Sequence, residues 1–275
     1  MIEGVGSMTA QHLISYCGGV EKVFNSPKAK LMKIPNIGKI TADAILSPEP
    51  MALAEEELKI KEKNQIQIYF HTDENYPHRL KECKDHPQLM FYKGNSPIEN
   101  KRVLAIVGTR NATEYSQRFL DGLLEELSTI PDLLVVSGLA YGVDIKAHRA
   151  CIKNKIPNIA VMGTGLNSIY PATHRKYAVE IVQNGGLLTE FTTRSKIIPA
   201  NFPMRNRIIA GLSDVTLVVE TKTKGGSVIT ANIANSYNRE VVALPGKVGE
   251  DTSEGCNFLI KTYKAQMIES AADLL

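Results

Sequence analysis

The second part of the chain, from about residue 101 onward, alternates short apolar runs with amphipathic segments. A short apolar run between turn signals is typical of a buried strand, and a longer amphipathic stretch is typical of a helix. Their alternation indicates an α/β fold, a parallel sheet with helices on both faces. Strands are predicted at Val103–Val107, Leu133–Ser137, Asn158–Met162, Gly186–Thr189, Val215–Val219 and Val241–Leu244. Helices are predicted at Glu114–Ser128, Val143–Asn154, His174–Gln183, Phe202–Ala210 and Ser227–Tyr237.

The first fifty residues contain an internal repeat. Residues 2–14 and 34–46 share an order of apolar residues, a glycine and a Thr-Ala pair, at an offset of 32 positions. Gly4, Gly6 and Gly38 allow tight turns, and Asn36 is a left-handed substitute for glycine. The unit resembles a helix-hairpin-helix, so a small all-α (SAM-like) domain is expected. Its hairpins either contact nucleic acid or serve as a structural or protein contact.

The segment between these regions is less regular. Ala52–Lys63 is predicted to be a helix with a solvated, charged face, and Ile66–Phe70 alternates like a strand. The loop at 95–97 contains Asn, Ser and Pro and is the expected domain edge. The predicted organisation is a helical domain over residues 1–50, a connecting extension of the core over 51–100, and the core domain over 101–275.

Composition narrows the class of protein. The 275 residues are 43% hydrophobic and 22% charged, as in an ordinary globular protein, and the net charge is only +3. Residues 1–100 carry −1 and residues 101–275 carry +4, so the second part is the expected anion binder. The four cysteines are scattered, which argues against a disulfide framework or a metal knuckle. Neither a membrane segment nor a signal peptide is visible, and a cytoplasmic location is expected.

Glycine, hydroxyl and cationic residues follow most of the predicted strands. Ligands of parallel sheets collect outside the carboxyl ends of the strands, and open amides at helix N-termini attract anions. The window 191–213 has four basic residues and no acidic one. Its guanidinium groups either bind phosphate oxygens, which they match in geometry, or hold neighbouring carboxylates or carbonyls at a helix end. The candidate binding residues are Gly108, Thr109, Arg110, Ser137, Gly138, Gly163, Gly165, Arg175, Lys176, Lys196, Arg205, Asn206, Arg207, Gly225, Gly226 and Ser227.

Several enzyme classes fit the sequence poorly. The Gly163-Thr-Gly165 turn misses the third glycine of a dinucleotide fingerprint, and no P-loop motif is present. Asp144 and His148 lie four residues apart on a predicted helix, where they form either an acid–base pair or a helix cap and a histidine that faces solvent or the sheet. No partnered nucleophile accompanies them. We therefore predict no catalytic residue, no cofactor and no metal site.

These loops, taken together and in order, resemble the DNA-processing protein A (DprA, also called Smf) family. The matching stretches are Ile106–Arg110, Ser137–Asp144, Ala147-His148, Gly163–Asn167, Tyr170-Pro171, Phe202–Ser213, Gly225–Ala231 and Leu244–Gly246. The likeness is dense over residues 101–270 and extends upstream through Tyr76–Leu80 and Phe91–Asn95. One departure is Asn167, where the family usually has an aspartate. A winged-helix domain that many members carry at the C-terminus does not follow in this sequence.

The resemblance implies an extended Rossmann fold that binds single-stranded DNA without catalysis. It implies a homodimer that loads the RecA recombinase onto incoming DNA during natural transformation, with no membrane partner and no small-molecule substrate. It assigns Arg110 as the principal phosphate contact and Arg205, Asn206 and Arg207 as the second wall of the groove. The loops at Ser137 and at Gly225–Ser227 would offer amides and hydroxyls.

Two other functions stay open. A lysine-decarboxylase-like nucleoside monophosphate phosphoribohydrolase also has glycine-rich strand ends, but the glutamate of its motif is missing from Lys224–Ala231. A nucleotide-sensing module of the same fold would bind a mononucleotide tightly and oligonucleotides poorly. The interpretation as a DNA-binding protein requires Arg110 and residues 205–207 to line a single groove.

Overall fold

The computed structural model describes Ile2 and residues 4–274. Met1, Glu3 and Leu275, which the predicted repeat or domain bounds include, lie outside the described residues. Before residue 48, the described chain forms four short helices, α1 (Ser7–Cys17), α2 (Val20–Phe24), α3 (Lys28–Leu31) and α4 (Lys39–Leu46). These helices enclose a small apolar core that includes Leu13, Leu31 and Ile45.

The internal repeat has the same backbone geometry in both copies. Gly4 and Asn36 take left-handed φ angles of 77° and 66°, as the prediction required of these turns. Gly6 and Gly38 precede α1 and α4 with ordinary extended backbone, at φ of −88° and −86°, and an added Cβ would meet no atom within 4 Å. These two positions therefore do not require glycine, unlike the sequence-based expectation. A Cβ on Gly4 would lie 3.7 Å from the hydroxyl oxygen of Thr41 in α4, so the first turn lies beside the helix of the second copy.

The next segment adds two strands to the main sheet. Helix α5 (Glu49–Asn64) and strand β1 (Gln67–Phe70) agree with the predicted helix and strand within a few residues. They are followed by α6 (His78–Lys81) and β2 (Leu89–Gly94). Strand β1 pairs antiparallel with β2, and β2 pairs antiparallel with the core.

The remaining strands form a parallel sheet, as predicted. They are β3 (Arg102–Gly108), β4 (Leu133–Ser137), β5 (Asn158–Val161), β6 (Gly185–Thr189), β7 (Val215–Val219), β8 (Glu240–Ala243) and β9 (Gln266–Met267). Within the described residues the whole sheet has nine strands in the order β1-β2-β6-β5-β4-β3-β7-β8-β9. All six predicted core strands are confirmed to within two residues, whereas the short edge strand β9 was not predicted.

Helices cover both faces of this sheet because its strands are apolar on both sides. The helices are α7 (Glu114–Leu127), α8 (Val143–Lys153), α9 (Arg175–Asn184), α10 (Asn201–Leu212), α11 (Gly226–Ser236) and α12 (Asp251–Lys261). Along β3, Val103 and Val107 pack with residues of α10 and α11, whereas Leu104 and Ile106 pack with residues of α7 and α8. Among the described helices, none is long and apolar enough to cross a membrane.

Strand β3 lies at the topological switch point of the sheet. It pairs with β4 on one side and with β7 on the other, so the chain connections run in opposite directions from it. A crevice therefore opens outside the carboxyl ends of β3 and its neighbours. Strand β3 ends there at Gly108. This position requires glycine, because a Cβ would lie 2.0 Å from the carbonyl oxygen of Val219.

Candidate nucleic-acid interface

A groove of about 460 Å³ occupies the switch point. Its walls are the loop after β3, the first turns of α10, and the loop that joins β7 to α11. A smaller recess of about 80 Å³ adjoins it on the side of β5. Both cavities are lined by Arg110, Ala140, Phe202 and Arg205.

Arg110 lies at the opening of the groove, and its side chain is exposed. The Thr109 amide donates to the Glu220 carbonyl at 2.7 Å, and the Thr109 carbonyl accepts from the Val143 amide at 3.1 Å. Gly142, with φ of 77°, packs against the Arg110 backbone where a Cβ would not fit. The backbone is thus fixed, while the exposed Arg110 guanidinium makes no hydrogen bond or ion pair to any residue that the structure describes.

Arg205 forms the floor of the groove and not an outer wall. Its side chain is only 4% exposed, and one guanidinium nitrogen donates to the Val161 carbonyl. Its Nε is buried and has no partner among the described residues. Burial lowers the pKa of Arg205, while the nearby Asp144 carboxylate raises it. An arginine remains charged in this setting, so Arg205 contributes positive potential from beneath.

The N-terminus of α11 supplies open amides. The first residues of a helix lack intrahelical acceptors, and this applies to the N–H groups of Gly226 and Ser227, which line the groove. The Ser227 hydroxyl is already engaged, because it donates to Thr221 Oγ1 at 2.7 Å. Asn206 lines the same groove, half-buried. A helix terminus with free amides beside two guanidinium groups suits a phosphate.

None of the carboxylates that the structure describes fills the groove. Within the described lining, the one acidic side chain is Asp144, which is 8% exposed and accepts from the Ala140 amide at 3.3 Å. Sequence reasoning missed the two lysines of the lining, Lys222 and Lys224, although both stand in the loop it had singled out. Lys222 pairs with Asp251 at 2.7 Å, and both side chains are exposed. The charged side chains of the described lining are therefore mostly cationic, four cations against one carboxylate.

Arg207 does not line the groove, and its predicted place there is wrong. Its guanidinium forms an ion pair with Glu190 at 2.6 Å and reaches Ser7 of α1 at 3.5 Å. Successive helical residues are rotated by about 100°, so Arg205 and Arg207 point about 200° apart. Both could not have faced the same groove once α10 formed.

The other predicted site residues divide into three groups. Gly108, Thr109, Gly225 and Gly226 line the groove, and Gly163 borders the recess beside the Phe202 ring. Ser137, Gly138 and Gly165 are buried, and the Ser137 hydroxyl donates to the Ile106 carbonyl at 2.6 Å. Arg175, Lys176 and Lys196 are exposed but lie outside the lining of both cavities.

Aromatic side chains surround the recess. Tyr141 and Tyr170 are each about half exposed, and the Tyr170 and Phe202 rings lie 5.3 Å apart between centroids. Exposed aromatic rings beside a cationic groove can stack with unpaired bases, because every base has a π-face. Arg110 lines both cavities, so one arginine borders both the groove with its open amides and the recess with its aromatic rings.

Asp144 and His148 are not arranged as an acid–base pair that a ligand could reach. His148 is fully buried, with Nδ1 2.8 Å from Asn158 Oδ1 and Nε2 2.6 Å from the Gly138 carbonyl. Burial lowers the pKa of His148. The two hydrogen bonds and the charge of Asp144 oppose this shift and raise the pKa. Of the two interpretations from sequence, the histidine that faces the sheet agrees with the structure.

The fold and the groove together define a Rossmann-like protein with a cationic cleft at the switch point of its sheet. The family described as DNA recombination-mediator protein A matches residues 67–275. The chain belongs to this family, as the sequence motifs had indicated, and it is a DNA-processing protein of the DprA type.

Three similar proteins illustrate the relationship. Protein Smf of Synechocystis sp. is 32% identical over 278 positions, which cover 100% of this chain and 69% of that protein. The structure of DNA processing protein A from Streptococcus pneumoniae superposes with a TM-score of 0.85 at 28% identity, over 99% of this chain and 93% of that one. The Helicobacter pylori protein, described for its single-stranded DNA binding mode, gives a TM-score of 0.69 at 31% identity, over 76% and 94%.

Proposed function

We propose that this protein binds single-stranded DNA in the groove at the switch point. We further propose that it acts there without catalysis and loads the RecA recombinase onto incoming DNA during natural transformation. The observation that carries the proposal is the exposed Arg110 guanidinium, which has no described partner and stands above the buried Arg205 and the open N-terminus of α11. The described DNA binding of the Helicobacter pylori relative supports the choice of ligand.

The lining suits a flexible polyanion better than a single nucleotide. Main-chain amides and guanidinium groups bind phosphates without reading sequence, and the adjoining aromatic recess gives an unpaired base a surface for stacking. Each phosphate contact should make the affinity depend on salt, with a logarithmic slope of about 0.7 per contact for single strands. The absence of an accessible acid–base pair in the described lining favours binding over hydrolysis.

Self-association and RecA binding require surfaces outside the groove. Val248, Tyr263 and Met267 are exposed apolar side chains near the end of the chain, at 91%, 97% and 51% exposure. Strand β9 also has one open edge, since it pairs only with β8 among the described strands. We assign the homodimer contact to this region. RecA loading rests on the family resemblance.

A titration of fluorescent oligo-dT and of AMP tests the proposal. We expect Arg110→Ala to weaken oligo-dT binding by roughly tenfold or more, since a charged hydrogen bond is lost. Arg102→Ala is the matched control, because Arg102 is an exposed arginine at the opposite end of β3. Release of free base from AMP would favour a phosphoribohydrolase, and tight AMP binding without turnover would favour a nucleotide sensor. RecA loading is tested by strand exchange on DNA coated with single-strand binding protein.

A further inference from the structure

The loop that joins β4 to α8, residues 138–142, positions both arginines of the groove. Gly138 packs directly on the Arg205 guanidinium, where a Cβ would lie 2.2 Å from Nη1. Gly142 packs on the Arg110 backbone, and Ala140 lines both cavities. A shift of this loop would therefore move the floor and the mouth of the groove together.

Three successive residues of this loop are held by side chains from α8 and from the turn before α9. The Gly138 carbonyl lies 2.6 Å from His148 Nε2, and the Leu139 carbonyl lies 2.8 Å from His174 Nδ1. The third residue is Ala140, whose amide donates to Asp144. Since a carbonyl oxygen can only accept, each of these imidazole nitrogens must donate.

Both histidines are shielded from solvent. His148 is 0% exposed and His174 is 6% exposed, so water cannot readily replace either hydrogen bond. His174 also packs under Tyr141, with ring centroids 4.9 Å apart, and Tyr141 borders the recess. Neither histidine lines the groove or the recess, so neither is placed to touch a ligand there.

We propose that His148 and His174 are positioning residues for the groove: their hydrogen bonds to Gly138 and Leu139 hold the 138–142 loop against Arg205 and Arg110, and binding of single-stranded DNA depends on that hold. This inference rests on the proposed function. It assigns a role in DNA affinity to two side chains that do not contact the DNA.

Paired substitutions separate the hydrogen bond from simple packing. Asparagine can place its amide N–H near His Nδ1, so His174→Asn keeps the donor, whereas His174→Leu keeps bulk and removes it. By the same reasoning, His148→Gln keeps a donor at the Nε2 position and His148→Leu does not. We expect the leucine variants to weaken oligo-dT binding by roughly tenfold, and the amide variants to stay within about twofold of the wild type.

Hydrogen exchange of residues 138–142 in the DNA-free protein provides a readout that does not depend on binding. We expect faster exchange and weaker binding in the leucine variants. The asparagine and glutamine variants should show the exchange and the binding of the wild type. Wild-type affinity in a folded leucine variant, or no rescue by the amide variants, would overturn the inference. If His148→Leu does not fold, the His174→Leu and His174→Asn variants still test the inference. Failure of the wild type to bind oligo-dT would instead refute the proposed function, and exchange alone would then decide whether the histidines hold the loop.

Discussion

Two arginines on one turn of α10 have opposite surroundings. Arg207 forms an ion pair with Glu190, and only about one-tenth of each side chain is exposed. Arg205 lies beneath a groove whose described lining contains a single, buried carboxylate, and Arg110 stands unpaired at its mouth. The sequence shows three similar cations, yet among the described residues Arg207 is held in an ion pair, Arg205 lies near the buried Asp144 carboxylate, and Arg110 has no partner. Whether a carboxylate forms a direct ion pair with each basic residue therefore matters more for an anion site than the number of basic residues.

The Arg207–Glu190 ion pair has a structural role. It joins α10 to the end of β6, and through Ser7 it also touches the N-terminal helices. Glu57 of α5 similarly accepts from the amide and the hydroxyl of Thr193, in the loop that leads into α10. The helix that supplies the groove floor is therefore anchored on its other side by contacts with the helical region.

The largest expected effect comes from breaking the Arg207–Glu190 ion pair. Arg207→Met leaves Glu190 buried and uncompensated, which should cost about 3–5 kcal/mol in the free energy of unfolding. Arg110→Met should leave the free energy of unfolding unchanged, because Arg110 has no described partner to lose. Urea denaturation of both variants measures this. If Arg207→Met left the protein stable but weakened DNA binding, Arg207 would belong to the binding site and not to a structural ion pair.

A smaller effect is expected from removing one open amide. Gly226→Pro deletes the N–H at the first position of α11, where proline is well tolerated, and Gly225 already has the extended φ and ψ of −75° and 155° that precede proline. We expect oligo-dT affinity to fall by roughly threefold to tenfold with no loss of thermal stability. The control is Gly226→Ala, which keeps the N–H and has no atom within 4 Å of the added Cβ. Equal affinities of the two variants would exclude this amide as a contact.

The smallest expected effect is a pH dependence of the free energy of unfolding that comes from the Arg207–Glu190 ion pair. Burial raises the pKa of Glu190 above its ordinary 4.5, against the opposing charge of Arg207. An acid with a raised pKa in the folded state binds more protons folded than unfolded, so its contribution to stability falls as the pH rises through that range. The free energy of unfolding of the wild type relative to Glu190→Gln should therefore decrease as the pH rises above about 4.5. A rise in that difference would contradict the assignment.

Much of the fold could be predicted from sequence because buried parallel strands are nearly continuous apolar runs, as in Leu133–Ser137. The antiparallel pairing of β2 with β6, which joins Tyr92 to Leu188, was not predicted. Gly108, Arg110 and Gly226 were placed by their position after strands. Arg207 was misplaced because its partner Glu190 stands 17 residues earlier, and the direction of each side chain follows only from the helix.

The salt dependence of oligo-dT binding tests the central claim most directly. For the wild type, Arg110→Ala and Arg102→Ala, the logarithm of the dissociation constant is measured against the logarithm of the salt concentration. We predict that Arg110→Ala lowers the slope by about 0.7, the value of one phosphate contact, while Arg102→Ala leaves it unchanged. An unchanged slope in Arg110→Ala, or an equal loss in both variants, would contradict the account of a phosphate-binding groove at the switch point.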